Sequence, residues 1–426
     1  MKWYGRAILC HPGAVSPSAA LADYRAALTT PGAGLPALAS AVGRLPIAML
    51  TLATLLYVEG MTGSFAVAGL VSAGALVGVS AGSVLQGRLI DRVGPTVPLL
   101  VASGLLVAAA AALVLAVETG QPPVVLGLLA VVTGLTQPAL PGSSRALWGR
   151  LLPAGPHRDA AYSYEAISLE VFFILGPALA VFLVLAPWPG TGLAVAVGGL
   201  ALGSVAFALC RPVRAQGRAE RGPGLGLFGA MERPGVRTVT LASLGFGLVV
   251  GSVEVGVPAV TDAIGAPALG GVLLSAWSVT SVLAGVLYSL RPWPEPLHLR
   301  LPFLLAVFAA CVGGMALSGT SGGLPVLVVA MLLAGAVITP QVTAHSLGID
   351  RTAPAGTAAE AFGWVITAAT LGIAAGQSSA GVAVELAGPP AAFTLGAVAG
   401  LVVAGLLWLL RGTLAPAPAA ELPVRA

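Results

Sequence analysis

Charge is scarce in this chain. Asp, Glu, Lys and Arg make up 8% of its 426 residues, and hydrophobic residues make up 57%. A soluble domain carries about 25% charged residues. So few charges cannot solvate the surface of a soluble fold, and the composition points to an integral membrane protein. Alternation is also missing. The apolar runs are continuous, which excludes a β-barrel, whose strands alternate. Cysteine is nearly absent: Cys10, Cys210 and Cys311 have no metal-site or disulfide spacing. His11, His157, His298 and His345 are scattered and fall at expected loops or helix ends, so no metal is expected. No Gly-x4-Gly-Lys-Ser/Thr loop is present, and no cofactor is implied. Nothing in the sequence supports enzymatic chemistry. The net charge of +4 comes almost wholly from arginine. On a membrane protein that reads as orientation and not as nucleic-acid binding.

What the chain has in abundance is apolar runs, together with 57 glycines and 33 prolines. Transmembrane helices tolerate both. Twelve spans of about 20 residues use roughly 240 positions, leaving short loops and two tails. The spans are expected at about 37–58, 65–87, 96–117, 123–147, 160–186 and 191–210, then at 238–260, 267–290, 301–318, 324–347, 357–385 and 391–410. The fold class is therefore all-α with twelve transmembrane helices. Residues 1–36 form an N-terminal tail, 37–210 a first six-helix bundle, 211–237 a basic linker, 238–411 a second bundle and 412–426 a C-terminal tail.

Two patterns support the count. With both termini in the cytoplasm, every basic residue except Arg44 and Arg145 falls in a tail or a cytoplasmic loop. The outer turns carry acids only, among them Glu59, Glu118, Asp262 and Glu385. The positive-inside rule then sets the orientation in the plasma membrane. The chain also repeats itself. Pro31-Gly32 with Leu38-Ala39-Ser40 recurs as Pro234-Gly235 with Leu241-Ala242-Ser243. Pro153-Ala154-Gly155 recurs as Pro354-Ala355-Gly356.

Gln86 to Pro95 is a charged turn between two uncharged runs. It resembles the loop signature of the major facilitator superfamily: Gly, three residues, Asp, a basic residue, any residue, Gly, then a basic pair. Gly87, Asp91, Arg92 and Gly94 fit; Thr96 and Val97 stand where the basic pair usually is. Two pseudo-symmetric six-span halves joined by a charged linker are also the arrangement of facilitator-type carriers. The resemblance implies that the loop meets the start of span eleven when the protein faces outward. Asp91 would then favour the positive end of that helix.

Ionisable groups inside spans are costly and are functional candidates by default. Glu170 lies about 15 Å of helix rise into span five, near mid-membrane. It is a candidate for proton titration, for substrate binding or for an ion pair with Arg44 or Arg145. Glu254 lies in the outer half of span seven with the same alternatives. Arg44 and Arg145 read as structural partners, gate elements or substrate contacts. Glu165 and Glu360 sit where a negative charge suits a helix N-terminus; a functional role is the alternative, and Glu165 is kept as a proton-coupling or substrate candidate. Gln86, Gln137, Gln341 and Gln377 could face a cavity. Trp148, Trp188, Trp293 and Trp408 read as interfacial anchors, and Trp277 and Trp364 as packing or stacking groups. Gly69, Ala73 and Ser80 let helices approach. Gly176-Pro177 resembles part of the span-five signature of drug/proton antiporters, although Ala178 to Val181 lack its later glycines; a proline kink is the alternative. Tyr164, Glu170 and Gly176-Pro177, with Gly43-Arg44-Leu45-Pro46, resemble a widespread bacterial subgroup of the superfamily.

The expected function is transport by alternating access, driven by an ion or substrate gradient. Proton-coupled efflux of a small amphipathic or hydrophobic compound leads. Metabolite uptake by symport or uniport is the second reading, and a transporter-like sensor or scaffold that moves no solute is the third. The expected partners are protons, lipid and an unidentified small-molecule substrate, with the protein a monomer.

Overall fold

The computed structural model describes residues 17–184, 186–217, 228–289, 296–319 and 323–415. Among them, twelve helices are long and apolar enough to cross a membrane. The short α1 (Pro17–Thr29) comes first. The first bundle then follows with α2 (Gly34–Thr62), α3 (Phe65–Val93), α4 (Thr96–Glu118), α5 (Pro123–Leu135), α6 (Leu140–Leu151), α7 (Pro156–Val184) and α8 (Thr191–Leu209). One turn, α9 (Arg211–Arg214), begins the linker. The second bundle holds α10 (Pro234–Ala263), α11 (Pro267–Ser289), α12 (Leu297–Ala316), α13 (Gly323–Thr352), α14 (Ala358–Ala387) and α15 (Pro389–Leu409).

The bundles repeat one packing scheme. In the first, α2 packs on α7 and α8, α3 on α5, and α4 on α8. In the second, α10 packs on α14 and α15, α11 on α13, and α12 on α15. Small residues make this possible, because helices in lipid associate by close packing and not by a hydrophobic force. A Cβ on Gly74, Gly78 or Gly82 of α3 would strike the backbone of α5. Gly69, expected to share this role, faces open space. Large apolar side chains such as Leu105, Phe182, Leu202 and Leu287 are exposed on the outside, as a lipid-facing surface requires. The arginines of the loops gather at one end, the basic end. Among the described residues, the other end carries Glu59, Glu118, Asp262 and Glu385 and no arginine or lysine.

Three expectations change. Part of the N-terminal tail is helical: α1 packs on α7, with Tyr24 edge-on to Tyr164 at 6.4 Å and His157 paired with Asp23 at 3.1 Å. Burial raises the Tyr24 phenol pKa above its ordinary value. Span four is not one helix. Thr136 to Ala139 interrupt it, because Pro138 has no N–H and drives the residue before it out of helical geometry. The Gln86 side chain bridges the break. Its Nε2 donates to the Leu135 and Gln137 carbonyls at 2.9 and 2.8 Å, and its Oε1 accepts from Ala139 N at 3.0 Å. Gln86 therefore holds backbone and does not face a cavity. Finally, Trp148 is buried, not interfacial. Trp293, the centre of the basic linker and the end of the proline-rich tail lie outside the described residues.

Candidate functional site

Three layers of polar residues lie between the bundles, starting at the basic end. The first is a latch. Asp91, at the end of α3, is 4% exposed. Its carboxylate accepts from Ala359 N at 3.1 Å and Glu360 N at 2.8 Å, the first free amides of α14. Such amides carry the positive end of the helix dipole. Gly87 allows the approach, since a Cβ there would lie 2.6 Å from the Ala359 carbonyl. Gly94 has φ +88 and faces the Gly217 carbonyl, so a side chain fits neither its conformation nor its space. Arg92 is exposed. Arg88 pairs with Glu360 at 2.9 Å, and the Ala230 amide also donates to Glu360. The Glu360 carboxylate thus ties both bundles and the linker together at this helix start. Beside the latch, Arg158 of α7 pairs with Asp350 of α13 at 3.0 Å, and Tyr162 donates to Asp350 at 2.9 Å. A cavity of about 260 Å³ separates these contacts, lined in part by Asp91, Arg158, Tyr162 and Asp350.

The second layer is charged. Arg44 of α2 and Glu165 of α7 form a fully enclosed ion pair at 2.6 Å. The other Glu165 oxygen accepts from Ser144 at 2.7 Å and from Trp148 at 2.9 Å, both on α6. The Phe172 ring lies 5.5 Å from the Arg44 guanidinium. Arg145 is buried in the fields of Glu165, Arg44 and Tyr162. This layer overturns two expectations. Glu165 is not at a helix N-terminus, because α7 begins at Pro156 and its first turns precede it. Arg44 is paired with Glu165 and not with Glu170. His345, expected at a loop or helix end, is buried inside α13. It bonds Gln341 at 3.0 Å and lies close enough to Arg145 to feel its charge.

The third layer lies at the midpoint of the 29-residue α7, where Glu170 is 9% exposed. Its polar neighbour comes from the other bundle: the Ser281 hydroxyl of α11 lies close enough to interact with it. Ser281 also lies 2.8 Å from the Thr339 hydroxyl of α13. Among the described residues no arginine pairs with Glu170. Glu254 lies apart, in the acidic half, where it accepts from Gln377 at 2.8 Å. Gly176 touches Ala48 of α2, so its lack of a side chain serves helix packing beside the Pro177 kink.

The contacts that join the bundles lie toward the basic end. The Ser83 carbonyl faces Gly363, Thr367 donates to the Ser80 carbonyl, and Ile167 faces Gly285. The pattern that defines the Major Facilitator Superfamily matches residues 35–377. The chain belongs to the Major Facilitator Superfamily. Its fold resembles several solved members. The human organic anion transporter MFSD10 (TETRAN) superposes with a TM-score of 0.66 at 19% identity, over 92% of this chain and 99% of that one. A bacterial homologue of the iron transporter ferroportin in the outward-facing state gives 0.71 at 14%, over 89% and 98%. The fucose:proton symporter FucP of E. coli gives 0.65 at 14%, over 90% and 98%. No curated protein matches this sequence.

Within this superfamily fold, sequence reasoning did not single out Arg158, Asp350, Tyr162, Ser281 or Thr339. The repeat contained a signal for two of them. Arg158 follows Pro153-Ala154-Gly155 closely, and Asp350 just precedes Pro354-Ala355-Gly356. The matched turns therefore place both at the same end.

Proposed function

We propose that this chain is a secondary active carrier of the plasma membrane that exports a small amphipathic compound in exchange for protons, with Glu170 as the proton site. Both termini lie in the cytoplasm, and the basic end is the cytoplasmic gate. One observation carries the reading. A mid-membrane carboxylate of one bundle faces a hydroxyl of the other and, among the described residues, has no arginine partner. Relative motion of the bundles makes and breaks that contact. The charged form of a carboxyl is costly at this depth, and its proton affinity follows its hydrogen bonds and neighbouring charges. A group whose partner is supplied by the moving bundle therefore couples proton uptake to the access change. Ser281 and Thr339 on α11 and α13 face it, and Arg44 with Glu165 lies about a turn and a half away on its own side.

The Asp91 latch and the Arg158–Asp350 pair support a cytoplasmic gate that is closed in this structure. The membership of the chain in a transporter family supports movement of solute over a scaffold role. The resemblance of Gly176-Pro177 to the antiporter signature supports export.

The test is Glu170→Gln in proteoliposomes with an imposed pH gradient. Gln keeps the shape and a polar group facing Ser281 but cannot titrate. The variant is expected to lose gradient-driven transport and to retain counterflow exchange of substrate. Substrate accumulation with an unchanged pH dependence would remove Glu170 as the coupling site and leave Glu254 as the next candidate.

A further inference from the structure

We infer that the transported compound is an organic monoanion, and that Arg145 is the residue that binds its anionic group. The inference rests on the proposed transport function and adds the chemical class of the substrate. The charged layer holds two guanidinium groups and one carboxylate. One oxygen of the Glu165 carboxylate takes Ser144 and Trp148, and the other pairs with Arg44. Arg145 feels the Glu165 charge but is not bonded to it. Among the described residues it makes no hydrogen bond and no ion pair, and its Nε is enclosed without a partner. Arg44 also keeps Nε and Nη2 unpartnered. Arg145 is 7% exposed, so little of it is in contact with solvent.

A buried guanidinium without an acceptor is costly, far more so than a paired one. Its planar fork of donors matches a carboxylate or phosphate oxygen pair. Two positive groups and one negative group leave a surplus of one charge, which a single negative charge on a ligand neutralises. Among the described residues, the acid that α13 carries, Asp350, is taken by Arg158 and Tyr162 in the layer below. The opposite wall offers Gln341, whose Oε1 is unpartnered, and His345. The layer lies between the gate contacts and Glu170, so a bound anion sits beside the proton site. A substrate anion and a coupling proton then meet the two bundles at adjacent depths.

The experiment measures thermal stability of the full chain in lipid nanodiscs. The probes are a panel of aliphatic and aromatic monocarboxylates, each matched with its neutral amide, and sodium chloride at equal ionic strength. At least one carboxylate is expected to give a saturable upward shift that its amide does not give. Arg145→Gln should weaken that binding by roughly tenfold or more, the scale of one charge-assisted hydrogen bond. Arg145→Lys should recover part of it, which guards against a variant that merely folds poorly. The measurement applies no pH gradient, so a failure of proton coupling at Glu170 does not move it, and the two readings fail separately. Equal shifts from acid and amide, no shift from any carboxylate, full binding by Arg145→Gln, or an equal shift from chloride alone would each overturn the inference.

Discussion

Asp91→Asn removes one oxygen acceptor and one charge from the start of α14 while conserving shape. The native carboxylate accepts two amides, at 3.1 and 2.8 Å, from a site that is 4% exposed. A hydrogen bond to a charged group contributes about 1.5–3 kcal/mol, and a charge at a helix end adds about 0.3–1 kcal/mol. Asn keeps one acceptor, turns an amide donor toward the second N–H, and avoids the cost of burying a charge. The net loss is about 2 kcal/mol, which is roughly a 30-fold change in a conformational equilibrium. The loss falls on the state described here, closed at the basic end, in which these two bonds are made. Spin labels at Thr62 and Asp262, at the acidic ends of α2 and α10, report the separation of the bundles once Cys10, Cys210 and Cys311 are replaced by Ser. The unmodified protein should favour the long distance, and Asp91→Asn should move population to the short one, with slower transport and normal insertion. Identical distance distributions in well-folded protein, or normal transport, would refute the latch.

Other consequences follow from neighbouring contacts. Arg158→Asp and Asp350→Arg should each slow transport, and the double swap should regain about 1 kcal/mol of coupling, roughly fivefold in rate; a double variant no better than either single one counts against the pair. Gln86→Leu leaves the Leu135 and Gln137 carbonyls and the Ala139 amide without their partner. It should cost about 1–3 kcal/mol, read as a lower thermal midpoint of the purified protein. Orientation is open to labelling with an impermeant thiol reagent on intact cells. A single cysteine in place of Ser321 should react from outside and one in place of Arg218 should not, and the reverse pattern would invert the topology.

Much of this architecture was legible in the sequence because it rests on local quantities. Apolar run lengths located the twelve spans, and arginine placement marked one end. The offset repeats marked the two bundles, whose matched turns carry Gly155 at φ 142 and Gly356 at φ 78. The candidate residues Glu170, Arg44, Arg145 and Glu165 were found by the cost of charge inside a span. Their partners were not. Arg44 and Glu165 are 121 residues apart, and no pattern in a single chain indicates which carboxylate a buried arginine takes. Glu165 looked like a helix cap because α7 begins several residues before its apolar run, at Pro156. His345 and Trp148 looked peripheral for a similar reason: both lie where spans extend past their apolar stretch into the bundle interface. The break in span four had a local signal in Pro138. A proline within an apolar helix is usually absorbed as a kink, as Pro177 is, so hydropathy alone does not separate the two outcomes.

Gln86 has a consequence that reaches beyond the break it spans. Its neighbour Gly87 lies against α14, while its own side chain grips both sides of the gap between α5 and α6. One residue thus works as the pin of a crank. The separate segment α6 carries Arg145, Ser144 and Trp148, and it is free of a continuous helical backbone above it. In the proposed opening of the gate, α3 leaving α14 would draw on the start of α6 through Gln86. On that reading, gate position and the aim of Arg145 are tied to one residue.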